Sequence, residues 1–310
     1  MFASLAIAAA LQLLPIIVPL GKPPRQIEQP VAPIETAGPA FAAACKDWDD
    51  WNKPAPPVRI HANTYLVGTC GISAILITGN QGDILIDGGP DTAADLIARN
   101  IRRLGFKLGD IKIILHSHEH PDHVGGIARL QQLTGAELFA SAEAARTLST
   151  GTAGANDPQA GVSKPFPRAR VDRILHDGEQ VRLGNLALTA VATPGHTPGA
   201  LSWHWGSCNG GVCRQIVYAD SLTAVSRPDY RFTDHPSYLA AFRMSIAKIA
   251  ALDCDILLTP HPSASHMIDR LAGRAPLQNS SACRDYAASR LSELEDRLAK
   301  EAASKKTQKP

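Results

Sequence analysis

The stretch His116-Ser117-His118-Glu119-His120-Pro121-Asp122-His123 puts four imidazoles and two carboxylates into eight residues. No other segment limits the fold as much. The apolar run Ile111–Leu115 leads into it and Val124-Gly125-Gly126 leads out, so it is no low-complexity His tract. Burying these groups unpaired would be prohibitive. A solvated charged turn is one reading. A metal site is the better one, because neutral imidazole and carboxylate are good zinc ligands. The spacing has a mechanical reason. His118 and His120 sit at i and i+2 on an extended strand end, so their side chains lean to the same side. Asp122 and His123 open a helix and point back into the same pocket. One metal is expected on His118 and His120, and a second on Asp122 and His123.

Each ion still lacks protein ligands, and three strand ends offer them. Thr193-Pro194-Gly195-His196-Thr197-Pro198-Gly199 follows the expected strand Leu186–Ala192. Thr259-Pro260-His261-Pro262 follows Asp255–Leu258, and Tyr218-Ala219-Asp220-Ser221 ends a third strand with a carboxylate. Ligands on strand ends held by Pro and Gly suit a rigid rim. A lone His is more often structural, but beside the cluster His196 and His261 become candidate ligands.

The rest of the chain alternates strands and helices. Val58–Gly68 has strand character. Ser73–Thr78 and Asp83–Asp87 read as a hairpin across Gly79-Asn80-Gln81-Gly82. Thr92–Leu104 has helical spacing, with Ala93, Leu96, Ile97, Ile101 and Leu104 on one face. A helix is expected across Val124–Leu133, a strand at Glu137–Ala140 and a helix at Ser141–Leu148. Gly151–Arg170 is a long loop of the kind that is usually functional or mobile. Antiparallel strands fill residues 171–206, with turns at Asp177-Gly178 and Gly184-Asn185. Strands at Gln215–Tyr218 and Asp255–Leu258 and helices at Pro236–Leu252 and Cys283–Ala303 complete the pattern. Two batches of strands, each followed by helices, predict an α/β fold: two sheets packed face to face with helices outside.

Composition excludes several classes. Hydrophobic residues make up 45% of the 310 and charged residues 19%, enough for a sizeable core and too little charge for a disordered chain. A net charge of +2 argues against a nucleic-acid partner, and 5% aromatics argue against a base-stacking platform. No fixed-period repeat is visible. The clearest charge run, Lys305, Lys306 and Lys309, reads as a frayed solvated end.

Residues 1–20 are almost wholly apolar and read as a signal peptide rather than a spanning helix, although no Lys or Arg follows Met1. Residues 21–44 are Pro- and Ala-rich and read as a leader remnant or flexible arm. Residues 45–310 are expected to form a single domain. Six cysteines allow fifteen pairings. Cys208 and Cys213 flank Asn209-Gly210-Gly211, a turn that invites a short clasp. Sequential pairing then gives Cys45–Cys70 and Cys254–Cys283. Free thiols or a Cys zinc site are the alternatives, but no C-x-x-C occurs. Bridges fit a periplasmic or secreted protein with no membrane span after processing. No heptad or exposed apolar stripe argues for assembly, and a monomer is expected.

The pattern Asp87-Gly88-Gly89, His118-x-His120-x-Asp122-His123, His196 and His261 resembles the metallo-β-lactamase superfamily over roughly residues 55–265. That resemblance implies an αββα sandwich, two mixed β-sheets with a two-zinc site at one edge. Ser221 within Ala219-Asp220-Ser221-Leu222-Thr223, the Leu257–Pro262 stretch and the disulfide pattern resemble subclass B3. The resemblance implies one zinc on His118, His120 and His196 and another on Asp122, His123 and His261. It implies Asp87 buried beneath the His loop, fixing its geometry. Ser221 and Thr223 would bind the carboxylate of a β-lactam, and Tyr230 matches a tyrosine that some relatives place near the developing oxyanion.

The activity implied is zinc-dependent hydrolysis of the β-lactam amide, conferring antibiotic resistance. Two zincs acidify a bound water from about 15.7 towards about 7, and Asp122 orients it. No serine nucleophile is required. One S-x-x-K, Ser245-Ile246-Ala247-Lys248, lies inside a predicted helix with no companion motif and reads as chance. The rival is a glyoxalase II-like thioesterase, a lactonase or an RNA-processing nuclease on the same fold. In thioesterase-like relatives an Asp bridges the metals where Asp220 stands. Adjacent strand residues face opposite ways, so only one of Asp220 and Ser221 should face the metals unless the backbone turns. A scaffold without turnover would have lost ligands, and all six are present.

Overall fold

The computed structural model describes residues 34–45 and 50–307. Helix α1 (Ile34–Ala44) leads into strands β1 (Val58–His61), β2 (Thr64–Leu66), β3 (Ile75–Thr78) and β4 (Asp83–Ile86). Then come α2 (Ala94–Arg103), β5 (Ile111–Leu115), α3 (Pro121–Val124), α4 (Ile127–Thr134), β6 (Glu137–Ser141), α5 (Ala142–Thr150) and β7 (Arg173–Leu175). The second half holds β8 (Gln180–Leu183), β9 (Leu186–Ala192), β10 (Leu201–Asn209), β11 (Val212–Tyr218), α6 (Pro236–Ala251), β12 (Ile256–Leu258), α7 (Met267–Leu271) and α8 (Ala282–Thr307).

Strands β1 to β7 form one sheet in sequence order, and the second sheet runs β12-β11-β10-β9-β8. Both sheets are mixed. In the first, β3 pairs antiparallel with β4 and β4 parallel with β5. In the second, β10 pairs antiparallel with β11 and β11 parallel with β12. Alternation along each strand sorts side chains into layers. Ile75, Ile77, Ile84 and Ile86 face the second sheet, where Leu188, Trp203, Trp205, Ile216 and Leu258 meet them. The neighbours Leu76 and Leu85 face outward onto Ile97 and Ile101 of α2 and Leu130 of α4. On the far side Val217 and Leu257 pack against Phe242 and Ile249 of α6 and Leu294 of α8. Strands buried on both faces read as continuous apolar runs, which is why these segments lack polar alternation. The result is the expected αββα sandwich.

Three local readings are corrected. Val58–Gly68 is two strands: the chain reverses at Ala62 (φ 42°) and Asn63, and Asn63 Nδ2 donates to the Thr78 carbonyl at 2.8 Å. The helix expected across Val124–Leu133 divides at Gly125-Gly126. A Cβ on Gly126 would lie 2.3 Å from the Gly88 carbonyl oxygen, so only glycine lets the two segments touch. Residues 34–44, expected as part of an arm, are helix α1. Phe41 and Cys45 are fully buried, and a Cβ on Gly38 would meet the Leu271 carbonyl oxygen of α7 at 2.3 Å. The expected signal peptide (1–20) and residues 21–33 lie outside the described residues, as does Lys309; Lys305 and Lys306 fall within α8. Among the described residues no helix is long and apolar enough to cross a membrane.

The cysteines pair as Cys45–Cys70, Cys208–Cys213 and Cys254–Cys283. Cys208 and Cys213 face each other across the β10–β11 hairpin, as the turn between them suggested.

Candidate metal centre

Strand β5 ends at Leu115, and residues 116–120, with bends at Ser117 and His120, lead to α3. The run is stitched to both sheets. Ser117 donates through its backbone N–H (2.6 Å) and its hydroxyl (2.7 Å) to the two carboxylate oxygens of Asp87. Tyr218 Oη donates to the same carboxylate at 2.6 Å. From the second sheet, Leu201 N–H donates to the Ser117 carbonyl at 2.7 Å and Trp203 Nε1 to the His116 carbonyl at 2.8 Å. Asp87 is fully buried, as expected, at a φ of 67° that Asp tolerates better than most residues. Burial raises its pKa despite the His123 charge and the three donors that oppose it.

His118, His120 and His196 form a nearly equilateral triangle. Ring centroids lie 5.0 Å (118–120), 4.7 Å (118–196) and 4.9 Å (120–196) apart, every pair close to edge-on. Each ring has one nitrogen engaged by the protein. His118 Nδ1 meets Asp220 Oδ1 at 2.8 Å, His120 Nε2 meets Asp157 Oδ2 at 3.2 Å, and His196 Nδ1 meets the Thr223 carbonyl at 3.0 Å and hydroxyl at 2.8 Å. The opposite nitrogen of each ring is left over. His118 Nε2 is buried with no hydrogen-bond partner. One ligand atom from each of these residues lies within 4.8 Å of the others. Burial drives the His118 pKa well down and that of His196 to about 3. Both rings are therefore neutral at physiological pH, with lone pairs available.

A second set adjoins the first. Asp122 Oδ2 lies 3.0 Å from His123 Nε2 and 3.5 Å from His261 Nε2, and the two nitrogens are 3.3 Å apart. A proton among three such atoms satisfies one pair at most, whereas a cation satisfies all three. Burial opposes charge on Asp122, but His123 holds its carboxyl below the usual range. His123 is raised in turn: burial works against it, but Asp122, Asp87 and Asp220 together outweigh burial. Burial takes His261 down to about 4. Orphaned nitrogens, convergent donors and neutral imidazoles fit a metal site.

The remaining expected residues have definite places. Asp220 lies behind His118, on the nitrogen that faces away from the triangle. Ser221 Oγ is buried without a partner. The chain turns at Leu222 (φ 49°), and this brings Thr223 back onto His196. Thr223, expected at the substrate, thus has its hydroxyl on a candidate ligand. Tyr230, expected near the oxyanion, stacks on His235 at 4.5 Å with the Arg227 guanidinium 5.4 Å from its centroid, and burial raises its pKa to about 12. The Ser245/Lys248 motif is structural. Ser245 donates to the Pro194 carbonyl at 2.7 Å, while Lys248 reaches Asp177 Oδ2 at 2.7 Å. Asp157 and Glu119 carry no role in the sequence reading. Asp157 lies in the long loop, 37 residues from the His120 it contacts, and only the fold connects them.

A family model described as the metallo-beta-lactamase superfamily matches residues 67–261. The MIM-2 metallo-beta-lactamase structure is 56% identical, covers 86% of this chain and 98% of its own, and superposes with a TM-score of 0.82. The metallo-beta-lactamase MIM-1 from Novosphingobium pentaromativorans is 50% identical over 86% of this chain and 98% of its own, with a TM-score of 0.84. MEM-A1, a subclass B3 metallo-beta-lactamase from a soil metagenome library, is 45% identical over 82% of this chain and 100% of its own, TM-score 0.79. Among curated proteins, a hydroxyacylglutathione hydrolase of Anaeromyxobacter dehalogenans (strain 2CP-C) is 28% identical over 71% of this chain and 70% of its own length. Another from Pseudomonas entomophila (strain L48) is 32% identical, but the match spans 41% of this chain and 39% of that protein.

Proposed function

Because the chain belongs to the metallo-beta-lactamase superfamily, we propose that it is a subclass B3-type enzyme that hydrolyses the β-lactam amide with two zinc ions. The observation that carries this reading is the triangle of His118, His120 and His196, each ring pinned through one nitrogen with the other left over. His118, His120 and His196 would hold one ion, and Asp122, His123 and His261 the other. When bound, such ions supply Lewis acidity and lower the pKa of water from about 15.7 towards about 7.

The chain's own groups do the rest. Asp122 keeps Oδ2 between His123 and His261, which leaves Oδ1 to accept a hydrogen bond from the attacking water and orient it. Water oxygen adds to the lactam carbonyl carbon, the C–N bond breaks, and the ring nitrogen takes up a proton. Ser221 Oγ, a hydroxyl with no internal partner, receives the substrate carboxylate. Thr223 assists there while its oxygens hold His196. Tyr230 supports the loop that carries these groups. Three disulfides favour an exported, periplasmic or secreted protein.

The thioesterase reading draws on the hydroxyacylglutathione hydrolases, but those relatives are more distant. Its bridging Asp also has no counterpart among the convergent donors, since Asp220 sits behind His118. The test is lactam hydrolysis followed by loss of ultraviolet absorbance. Zinc-loaded protein should turn over, chelator-stripped protein should not, and zinc should restore the rate. Turnover that survives complete removal of metal would sink the proposal.

A further inference from the structure

Glu119 stands between two candidate ligands and touches neither metal set. Its side chain meets the 195–199 loop, whereas those of His118 and His120 meet Asp220 and Asp157. Glu119 is 2% exposed. Both carboxylate oxygens meet the loop that carries the third ligand: Thr197 Oγ1 donates to Oε2 at 2.6 Å, and Gly199 N–H donates to Oε1 at 2.8 Å. Thr197 directly follows His196. One carboxylate thus joins the backbone that carries His118 and His120 to the backbone that carries His196.

The far side of that loop is fixed as well. Ser141 Oγ donates to the Gly199 carbonyl at 2.7 Å, and Tyr238 Oη donates to the Gly195 carbonyl at 3.1 Å. At Gly199 a Cβ would lie 2.4 Å from the Ala144 backbone nitrogen and 2.8 Å from Glu119 Oε1. The loop therefore approaches the carboxylate as closely as its backbone permits. A buried carboxylate is costly to keep. One that spends both oxygens on a single loop fixes where that loop sits.

We propose that Glu119 is a positioning residue that sets the spacing of the His118, His120 and His196 triangle, with Thr197 as its partner. The inference rests on reading that triangle as a metal site. Groups hydrogen-bonded to a ligand tune metal affinity by about 10–100-fold without touching the ion; Glu119 acts on the backbone that carries the ligands, with that range as its upper bound.

The test uses zinc affinity, measured by competition with a chromophoric chelator, and the visible spectrum of the cobalt(II)-loaded protein. Glu119→Gln and Thr197→Val should each weaken the ion held by the triangle by up to about 10–100-fold and shift the cobalt bands. Thr197→Ser, which keeps the hydroxyl, should restore affinity to near the wild-type value. Ile97→Val, a core change in α2, should leave affinity and spectrum unchanged whatever it does to Tm. Should Glu119→Gln fail to fold, the Thr197 pair decides. Wild-type affinity in Thr197→Val, or equal loss in Thr197→Ser, or equal loss in Ile97→Val, overturns the clamp. A wild-type protein whose zinc affinity is unmoved by His196→Ala instead overturns the metal reading beneath it.

Discussion

Asp220 separates the two hydrolase readings, and its geometry gives a magnitude. Oδ1 accepts from His118 Nδ1 at 2.8 Å, deep in the protein, and fixes the tautomer whose Nε2 lone pair faces the triangle. In Asp220→Asn the amide oxygen can replace Oδ1 only as a weaker, uncharged acceptor. The other amide orientation sets an NH2 group against Nδ1 and favours the tautomer with hydrogen on Nε2, which cannot bind metal. Loss of such an outer carboxylate weakens metal binding by about 10–100-fold, or about 1.4–2.7 kcal/mol. Asp220→Ala should fall at the upper end. Metal-free stability should fall as well, by about 1–3 kcal/mol, because buried His118 Nδ1 loses its acceptor. The assay is zinc titration of the metal-free protein against a chromophoric chelator. One ion should weaken while the ion on Asp122, His123 and His261 binds as before. If Asp220→Ala loses both ions together, Asp220 bridges them and the thioesterase-like arrangement replaces the one described. If neither ion weakens, the hydrogen bond to His118 does nothing for the metal.

Other outcomes follow from the same geometry. Elemental analysis should find up to two zincs per chain, with His196→Ala depleting one and His261→Ala the other; full occupancy in both variants would refute the assignment. Ser221→Ala should keep its zinc and mainly raise KM, since the contact exists in ground and transition states alike; a zinc content that drops would make Ser221 a ligand. Removing Cys254–Cys283, which closes 29 residues, should cost about 3–4 kcal/mol by loop entropy, against about 2 kcal/mol for the 5-residue Cys208–Cys213 clasp. Denaturant midpoints in the reverse order would contradict this. Arg270 is buried and donates to the Leu257, Ser265 and Leu277 carbonyls, so Arg270→Met strands those acceptors and should lose about 1–3 kcal/mol in urea unfolding. A loss under about 1 kcal/mol would mean that water satisfies those carbonyls.

The six convergent donors were legible because their chemistry is conspicuous in one dimension. Four histidines between an apolar strand and Gly-Gly suit little besides a metal, and His196 and His261 stand in Gly/Pro settings at strand ends. The layers were legible because apolar runs of strand length between turn signals leave few alternatives. The groups that hold the ligands in place were not legible. Asp220 lies 102 residues from His118, Asp157 lies 37 from His120, and Thr197 lies 78 from Glu119. Nothing local marks one carboxylate among 29 as a partner for a given imidazole. Helix α1 was hidden for a related reason: Gly38 and Pro39 offset the helical preference of its alanines, and docking on α7 with the Cys45–Cys70 bridge supplies what propensity does not. The turn at Leu222, which brings Thr223 back onto His196, is likewise something that alternation along a strand does not foresee.

The central claim is that this site opens lactams. It is tested most directly by giving one zinc-loaded preparation both substrate classes: a penicillin, a cephalosporin and a carbapenem on one side, an acylglutathione thioester on the other. The account predicts chelator-sensitive turnover of at least one lactam, with the thioester cleaved no faster than in buffer. Chelator-sensitive cleavage of the thioester with every lactam left intact would contradict it.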